Sequence, residues 1–288
     1  MRRLAKKVAA TAMALTMTAA MATTCFAANW GSYFGASADW YEGAEGKLTA
    51  NTAAGFTASI DSVGWGGVWG AQGYIDGSRN DNAKNVKVTK GKSYTLSFDI
   101  SASNLTKFAY VKVSTGEKLA YSTWVKMPAN KTVKVKKTFK AAGNANSVYF
   151  GLGGDVGDRR DVSTDADAVT RYNVFNFKQA AEIGLQNDAN GDYTAATNIK
   201  VSKFTLIETP KIKSAKSSKK GKVTVKFAKI NGAKSYKVKV GSKVTKTKKT
   251  SVTVKAKSKK KVTVQVAAVA KTSGVTGAYS AKKKVKVK

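Results

Sequence analysis

Residues 108–113 read FAYVKV and residues 147–152 read SVYFGL, and these two short runs decide the architecture. Successive side chains of a strand point to opposite faces. In the first run Ala109, Val111 and Val113 make a small apolar face, and Phe108, Tyr110 and Lys112 point the other way. In the second, Val148, Phe150 and Leu152 pack inward while Tyr149 and Gly151 look outward. Each run therefore predicts a strand with one face on a core and a second face carrying aromatic and charged groups.

The same alternation extends outward in both directions. GFTASIDSV (55–63), SYTLSFDI (93–100), KTVKVKKTF (131–139) and NIKVSKFTLI (198–207) alternate apolar with polar and are rich in β-branched and aromatic residues. Gly and Asn turns separate them at spacings suited to a sandwich or jelly roll. Residues 155–196 are too long for a plain hairpin loop, so this insertion is a candidate for function. Within it, NFKQAAEIGLQ (176–186) is expected to make a short helix. Beyond Thr209 come KVTVKFAKI (222–230), SYKVKV (235–240), SVTVKAK (251–257), KVTVQVAAVA (261–270) and KKKVKVK (282–288). Short strands in about 80 residues predict a small immunoglobulin-like sandwich, with Val inside and Lys facing solvent. The fold class expected is all-β: a jelly-roll β-sandwich followed by a smaller one.

Charge divides the chain at the same place. All 17 acidic residues lie between Asp39 and Glu208. Residues 28–208 set 21 Lys and Arg against them, a balance of about +4. From Thr209 to Lys288 there are 26 lysines, no arginine and no acid. The step places a module boundary near Thr209-Pro210, dividing residues 28–208 from 209–288. At the N-terminus, Arg2, Arg3, Lys6 and Lys7 precede an apolar run from Val8 to about Ala22. The small-residue exit Cys25-Phe26-Ala27 completes a secretory signal peptide, with cleavage expected after Ala27. The run is too short and too rich in Ala and Thr for a membrane span. A secreted, extracellular or cell-surface protein is the expectation.

Composition excludes several chemistries. Cys25 is the one cysteine and falls in the signal, so disulfides and thiol catalysis are ruled out for residues 28–288. Histidine is absent, which removes Ser-His-Asp catalysis and the commonest zinc ligand. No strand carries the paired carboxylates a glycosidase needs. The protein is expected not to be an enzyme.

Residues 46–74 (GKLTANTAAGFTASIDSVGWGGVWGAQGY), 86–103 (VKVTKGKSYTLSFDISAS), 133–141 (VKVKKTFKA), 148–154 (VYFGLGG) and 198–208 (NIKVSKFTLIE) together resemble a carbohydrate-binding module. The type is family 4/9, found in cellulases and xylanases, and the resemblance runs over nearly all of residues 29–208. It implies a jelly roll that binds a β-glucan or xylan-type chain in a cleft on the concave sheet, often with structural calcium. Residues 223–240 and 262–280 are similar to a fibronectin type III-like domain of bacterial surface proteins. In that pattern Phe227 replaces the usual Trp, and the Tyr near the start of the later strand is missing.

The resemblance implies a set of carbohydrate-binding residues. Trp69 matches the family Trp in a loop that also holds Gln72, and Tyr110 and Lys112 fall on a cleft-lining strand. Tyr121 matches an aromatic in the next loop, while Gly151 stands where a sugar-bonding Gln is often found. Trp65, Tyr74, Trp124 and Tyr149 complete the candidates. Aromatic faces suit sugar rings, and amide or charged groups suit the hydroxyls at their edges. Each candidate also fits a packing role: Trp65 as a cap on the sandwich, Trp69 as part of the core, and a strand tyrosine as ordinary filling.

No cofactor is expected beyond a structural calcium. Asp188, Asn190 and Asp192 have the spacing of the first three oxygen ligands of a calcium loop, but Tyr193 stands where that loop requires Gly. An ordinary Asn-Gly turn fits the same residues. A second acidic cluster, Asp155, Asp158, Asp161, Asp165 and Asp167, reads either as a calcium site or as a solvated loop. The partners expected are a polysaccharide for the first module and anionic cell-envelope polymers for the second. Specific nucleic-acid readout is not expected, since the second module has no Arg and few aromatics. The competing readings are a surface adhesion or structural protein holding a protein partner, and an accessory of a polysaccharide-degrading enzyme.

Overall fold

The computed structural model describes residues 30–34, 44–63, 69–77, 86–154 and 196–288, and every structural statement below concerns these residues. The signal segment, Trp65, the insertion helix and both calcium candidates lie outside them. Ten strands build the first module: β1 Gly31–Phe34, β2 Ala44–Thr52, β3 Gly55–Val63, β4 Ala71–Asp76, β5 Ser93–Ala102, β6 Lys107–Thr115, β7 Lys118–Met127, β8 Thr132–Lys140, β9 Ser147–Gly154 and β10 Thr197–Glu208. They pair antiparallel into two five-stranded sheets, β1-β4-β9-β6-β7 (sheet A) and β2-β3-β10-β5-β8 (sheet B). This is a jelly-roll β-sandwich.

The two inner faces supply one core. Ala109, Val111, Val113, Val148, Phe150 and Leu152 from sheet A meet Phe56, Ile60, Leu96, Phe98, Ile100 and Val201 from sheet B. Phe150 is its hub, with ring centroids 5.0 Å from Phe98, 5.6 Å from Trp30 and 5.9 Å from Phe56. Edge-on contacts of this kind suit the quadrupoles of aromatic rings. Asn51 fixes Trp30 at the sandwich entrance, accepting from its amide at 3.0 Å and donating to its carbonyl at 2.7 Å. At Gly73 a Cβ would stand 2.3 Å from the Phe56 ring, so only glycine lets that ring reach the sheet.

Seven strands form the second module: β11 Ile212–Lys219, β12 Lys222–Phe227, β13 Ala233–Val240, β14 Lys243–Thr247, β15 Ser251–Lys255, β16 Lys261–Ala270 and β17 Lys283–Lys286. They make a three-stranded sheet β11-β12-β15 and a four-stranded sheet β14-β13-β16-β17. Val223, Val225, Val238, Val240, Val264 and Val266 fill the space between. Phe227 packs edge-on against Tyr236 at 4.8 Å, and the Tyr236 hydroxyl accepts from the Ile230 amide at 2.9 Å.

The modules meet on the outer face of sheet B. The Ala278 amide donates to the Thr95 hydroxyl at 2.8 Å, and Lys136 Nζ donates to the Thr276 carbonyl at 2.9 Å. The hydroxyls of Thr205 and Ser273 bond to each other. Ile207, at the end of β10, packs into the core of the second module. Sheet A, on the far side of the sandwich, is untouched by these contacts. No helix among the described residues is long and apolar enough to cross a membrane.

Candidate functional site

Strand register alone assembles the outer face of sheet A. One row across the sheet runs Tyr33, Gln72, Gly151, Tyr110, Trp124. The next runs Gly31, Tyr74, Tyr149, Lys112, Ser122, and a third runs Asp76, Ser147, Ser114. Neighbouring strands lie about 4.8 Å apart, so a five-strand row spans roughly 19 Å. Trp69, two residues before β4, sets its ring edge-on to Tyr110 at 5.5 Å, and Tyr110 contacts Trp124 at 4.9 Å. Gln72 is tied to that turn, its amide donating to the Trp69 carbonyl at 2.8 Å.

The face has a closed half and an open half. Trp69, Tyr110 and Trp124 are buried, Tyr110 completely. Tyr33, Gln72, Tyr74 and Tyr149 are half-buried and form the accessible strip over β1, β4 and β9. The rings of Tyr74 and Tyr149 lie 5.4 Å apart, tilted by 31°. Gly31 leaves room for the Tyr74 ring, which a Cβ there would meet at 2.4 Å. The buried trio thus acts as a pedestal for a strip of tyrosine faces.

Polar groups sit beneath that strip. Asp76 is 4% exposed and accepts from the Ser147 hydroxyl at 3.0 Å and from the Tyr149 hydroxyl. Those bonds hold the Tyr149 ring in place. Lys112 Nζ lies 5.2 Å from the Trp69 ring and 5.4 Å from the Tyr149 ring, a cation between two aromatic faces. Its carboxylate neighbour Glu117 is 3.8 Å away and largely in solvent. Burial pulls the Lys112 ammonium below its ordinary value of 10.5, against the opposing pull of Glu117 and Asp76.

The sign of that shift gives a test. The folded state holds the Lys112 proton less tightly than the unfolded chain, so the unfolded chain binds more protons between the two pKa values. Stability must therefore rise with pH through that window. Urea unfolding of the wild type and Lys112→Met from about pH 7 to about pH 10 should show the wild type gaining on the variant as pH rises toward the ordinary lysine range. A constant difference between the two would mean that Lys112 is not desolvated.

Register divides the sequence candidates. It brings Trp69, Gln72, Tyr74, Tyr110, Lys112, Trp124 and Tyr149 together. Two loop placements change: Gln72 stands on β4, and Tyr121 stands on β7. Tyr121 pairs with Val113, faces the core side, and stacks on Phe139 of sheet B at 4.2 Å. Tyr121 and Trp124 are three positions apart, an odd step that on a strand sends them to opposite faces. Two members of the face were not foreseen, Tyr33 and Asp76. Asp76 continues the period-two set Gln72, Tyr74, Asp76 and could have been found from it. Tyr33 lies on a four-residue strand too short to show a period. Among the described residues no group of three acids could hold a metal ion.

No family model and no curated protein matches the chain. Among solved structures the chain is similar to a CBM4 module, at 16% identity and a TM-score of 0.35 over 62% of this chain and 94% of that one. It is similar to the N-terminal cellulose-binding domain of the β-1,4-glucanase C of Cellulomonas fimi, at 15% identity and a TM-score of 0.34 over 62% and 86%. The CBM22-1 xylan-binding domain of Xyn10C from Paenibacillus barcinonensis aligns at 10% identity and a TM-score of 0.30 over 62% and 85%. Likenesses this distant carry nothing about a ligand.

Proposed function

We propose that the outer face of sheet A binds a polysaccharide chain of the β-glucan or xylan type, without cutting it. One observation carries this reading. Held from beneath by buried Asp76 and Lys112, tyrosine faces (Tyr33, Tyr74, Tyr149) stand beside hydrogen-bonding groups (the Gln72 amide and the tyrosine hydroxyls) on the sheet turned away from the second module. Sugar rings offer flat C–H faces to the former and hydroxyl edges to the latter. Covering one ring face contributes on the order of 1–2 kcal/mol by area. Three such faces, less the cost of association, give roughly micromolar to millimolar affinity. The protein would be exported by its N-terminal signal. The second module would serve as a spacer or an envelope attachment, and its three-plus-four strand order supports a fibronectin type III-like reading.

Native gels cast with soluble β-glucan, xylan or mannan test this directly. The wild type should be retarded by at least one of them. Tyr149→Ala and Tyr74→Ala should each weaken binding about tenfold, about 1.4 kcal/mol. Tyr279→Ala, an exposed aromatic of the second module, should leave it unchanged. Normal mobility in every gel, or a folded Tyr149→Ala that binds like the wild type, would remove the face from this account.

A further inference from the structure

The lysines of the second module are not spread evenly over it. β11, β15 and the β12 hairpin carry Lys219, Lys222 and Lys255 into one row, through the pairs Lys219↔Lys222 and Lys222↔Lys255. Backbone hydrogen bonds then stitch two more segments to that row. Gly221 donates to the Lys288 carbonyl and Ala256 to the Gly221 carbonyl, both at 2.9 Å. Lys259 donates to Val287 and Val287 to Lys260, again at 2.9 Å. Segments 219–222, 255–260 and 286–288, holding nine lysines, therefore share one end of the sandwich. All nine are exposed. The contacts with the first module involve residues 273–278 and Ile207, at the opposite end of β16.

Like charges so close repel, and residues 209–288 contain no carboxylate side chain to offset them. The turn at this end also holds Lys259 at φ 60, a conformation that a glycine would adopt at lower cost. Repulsion falls on the folded state, and it is relieved once an anionic polymer lies across the pole. Lysine supplies compact point charges with donors in several directions, suited to tetrahedral phosphates met from any side. The absence of arginine removes the planar fork that grips carboxylates and phosphates alike in pairs, so recognition here rests on point charges. No aromatic side chain stands in these segments to stack a base.

We infer that this lysine pole is a docking surface for a linear phosphodiester polymer, held by its backbone charges. Neighbouring strands set the backbone positions of the row's lysines about 4.8 Å apart. Binding there leaves the tyrosine face of sheet A free, so one molecule can hold two polymers at once.

Two variants of the full chain without residues 1–27 separate a localised pole from a diffuse field. The pole variant carries Lys219→Gln, Lys222→Gln, Lys255→Gln, Lys257→Gln and Lys259→Gln. The control carries Lys213→Gln, Lys226→Gln, Lys229→Gln, Lys248→Gln and Lys249→Gln, five exposed lysines toward the other end. Binding to delipidated poly(glycerol phosphate) is measured against salt from about 50 to about 200 mM. The pole variant should bind at least about tenfold more weakly at the lower salt and show a shallower salt slope. The control should stay within about twofold of the wild type. Equal weakening of the two variants would overturn the localised pole. Equal affinity of the wild type for polygalacturonate of matched charge would overturn the commitment to phosphate.

Discussion

Phe150→Ala should cost the first module about 3–5 kcal/mol, the range for removing a fully buried phenylalanine from a packed core. The ring has no exposure, and it joins Trp30 and Phe56 on one side to Phe98 on the other. No neighbour is poised to fill the gap. Phe204 is also engaged with Trp30 at 4.9 Å, so moving inward would open a second void. Urea denaturation followed by tryptophan fluorescence measures the loss, and a change below about 1 kcal/mol would mean the core relaxes freely around the site. The second module has its own valine core, so its transition should be little altered.

Asp76→Ala should be comparably severe, for a different reason. Removing this buried carboxylate takes an acceptor from the Ser147 hydroxyl, which keeps Asn146, takes one from the Tyr149 hydroxyl, and removes a favourable charge facing the Lys112 ammonium. A hydrogen bond to a charged group is worth about 1.5–3 kcal/mol, and two are lost here. Lys112 would retain Glu117, at 3.8 Å and mostly in water, so its proton should become still easier to lose. Chemical denaturation of Asp76→Ala, and of Asp76→Ala with Lys112→Met, forms the test. The double variant should recover part of the loss, and a purely additive result would show that the two groups are not coupled.

The legible parts of the fold were those with a strict period of two and strong β-formers. SYTLSFDI, KVTVKF and KVTVQV announce β5, β12 and β16 because valine, phenylalanine and leucine occupy one face without interruption. β4 was obscured by Gly73, an inward position filled by the Phe56 ring instead of a side chain of its own. β7 carries aromatics on both faces, so Tyr121 and Trp124 gave a mixed signal that only pairing with β6 resolves. β1 is four residues long and β2 opens on Ala and Gly, too little for a pattern. The site was legible as a group of aromatic residues, since alternation correctly turned Tyr110, Lys112 and Tyr149 away from the core. Its division into a buried trio and an open strip was not, because burial does not follow position in the sheet: Trp124 is buried on the edge strand β7, while Tyr149 is half-buried on the central strand β9. Asp76 shares the period-two face of Gln72 and Tyr74, and what the sequence does not show is its role as acceptor for Ser147 and Tyr149.

Ile207 belongs by sequence to the last strand of the jelly roll and by packing to the core of the second sandwich. Parting the modules would expose that isoleucine and break the Thr95 and Lys136 contacts at the same seam. These contacts favour a stiff elbow over a swivelling tether. With a flexible connector, the effective concentration of one binding end near its target falls steeply as the connector lengthens. Across a stiff elbow it is set instead by geometry. If both proposed surfaces bind, two polymers at the right separation and angle would be clasped together far more firmly than either alone, while the same polymers in another arrangement would be held one at a time.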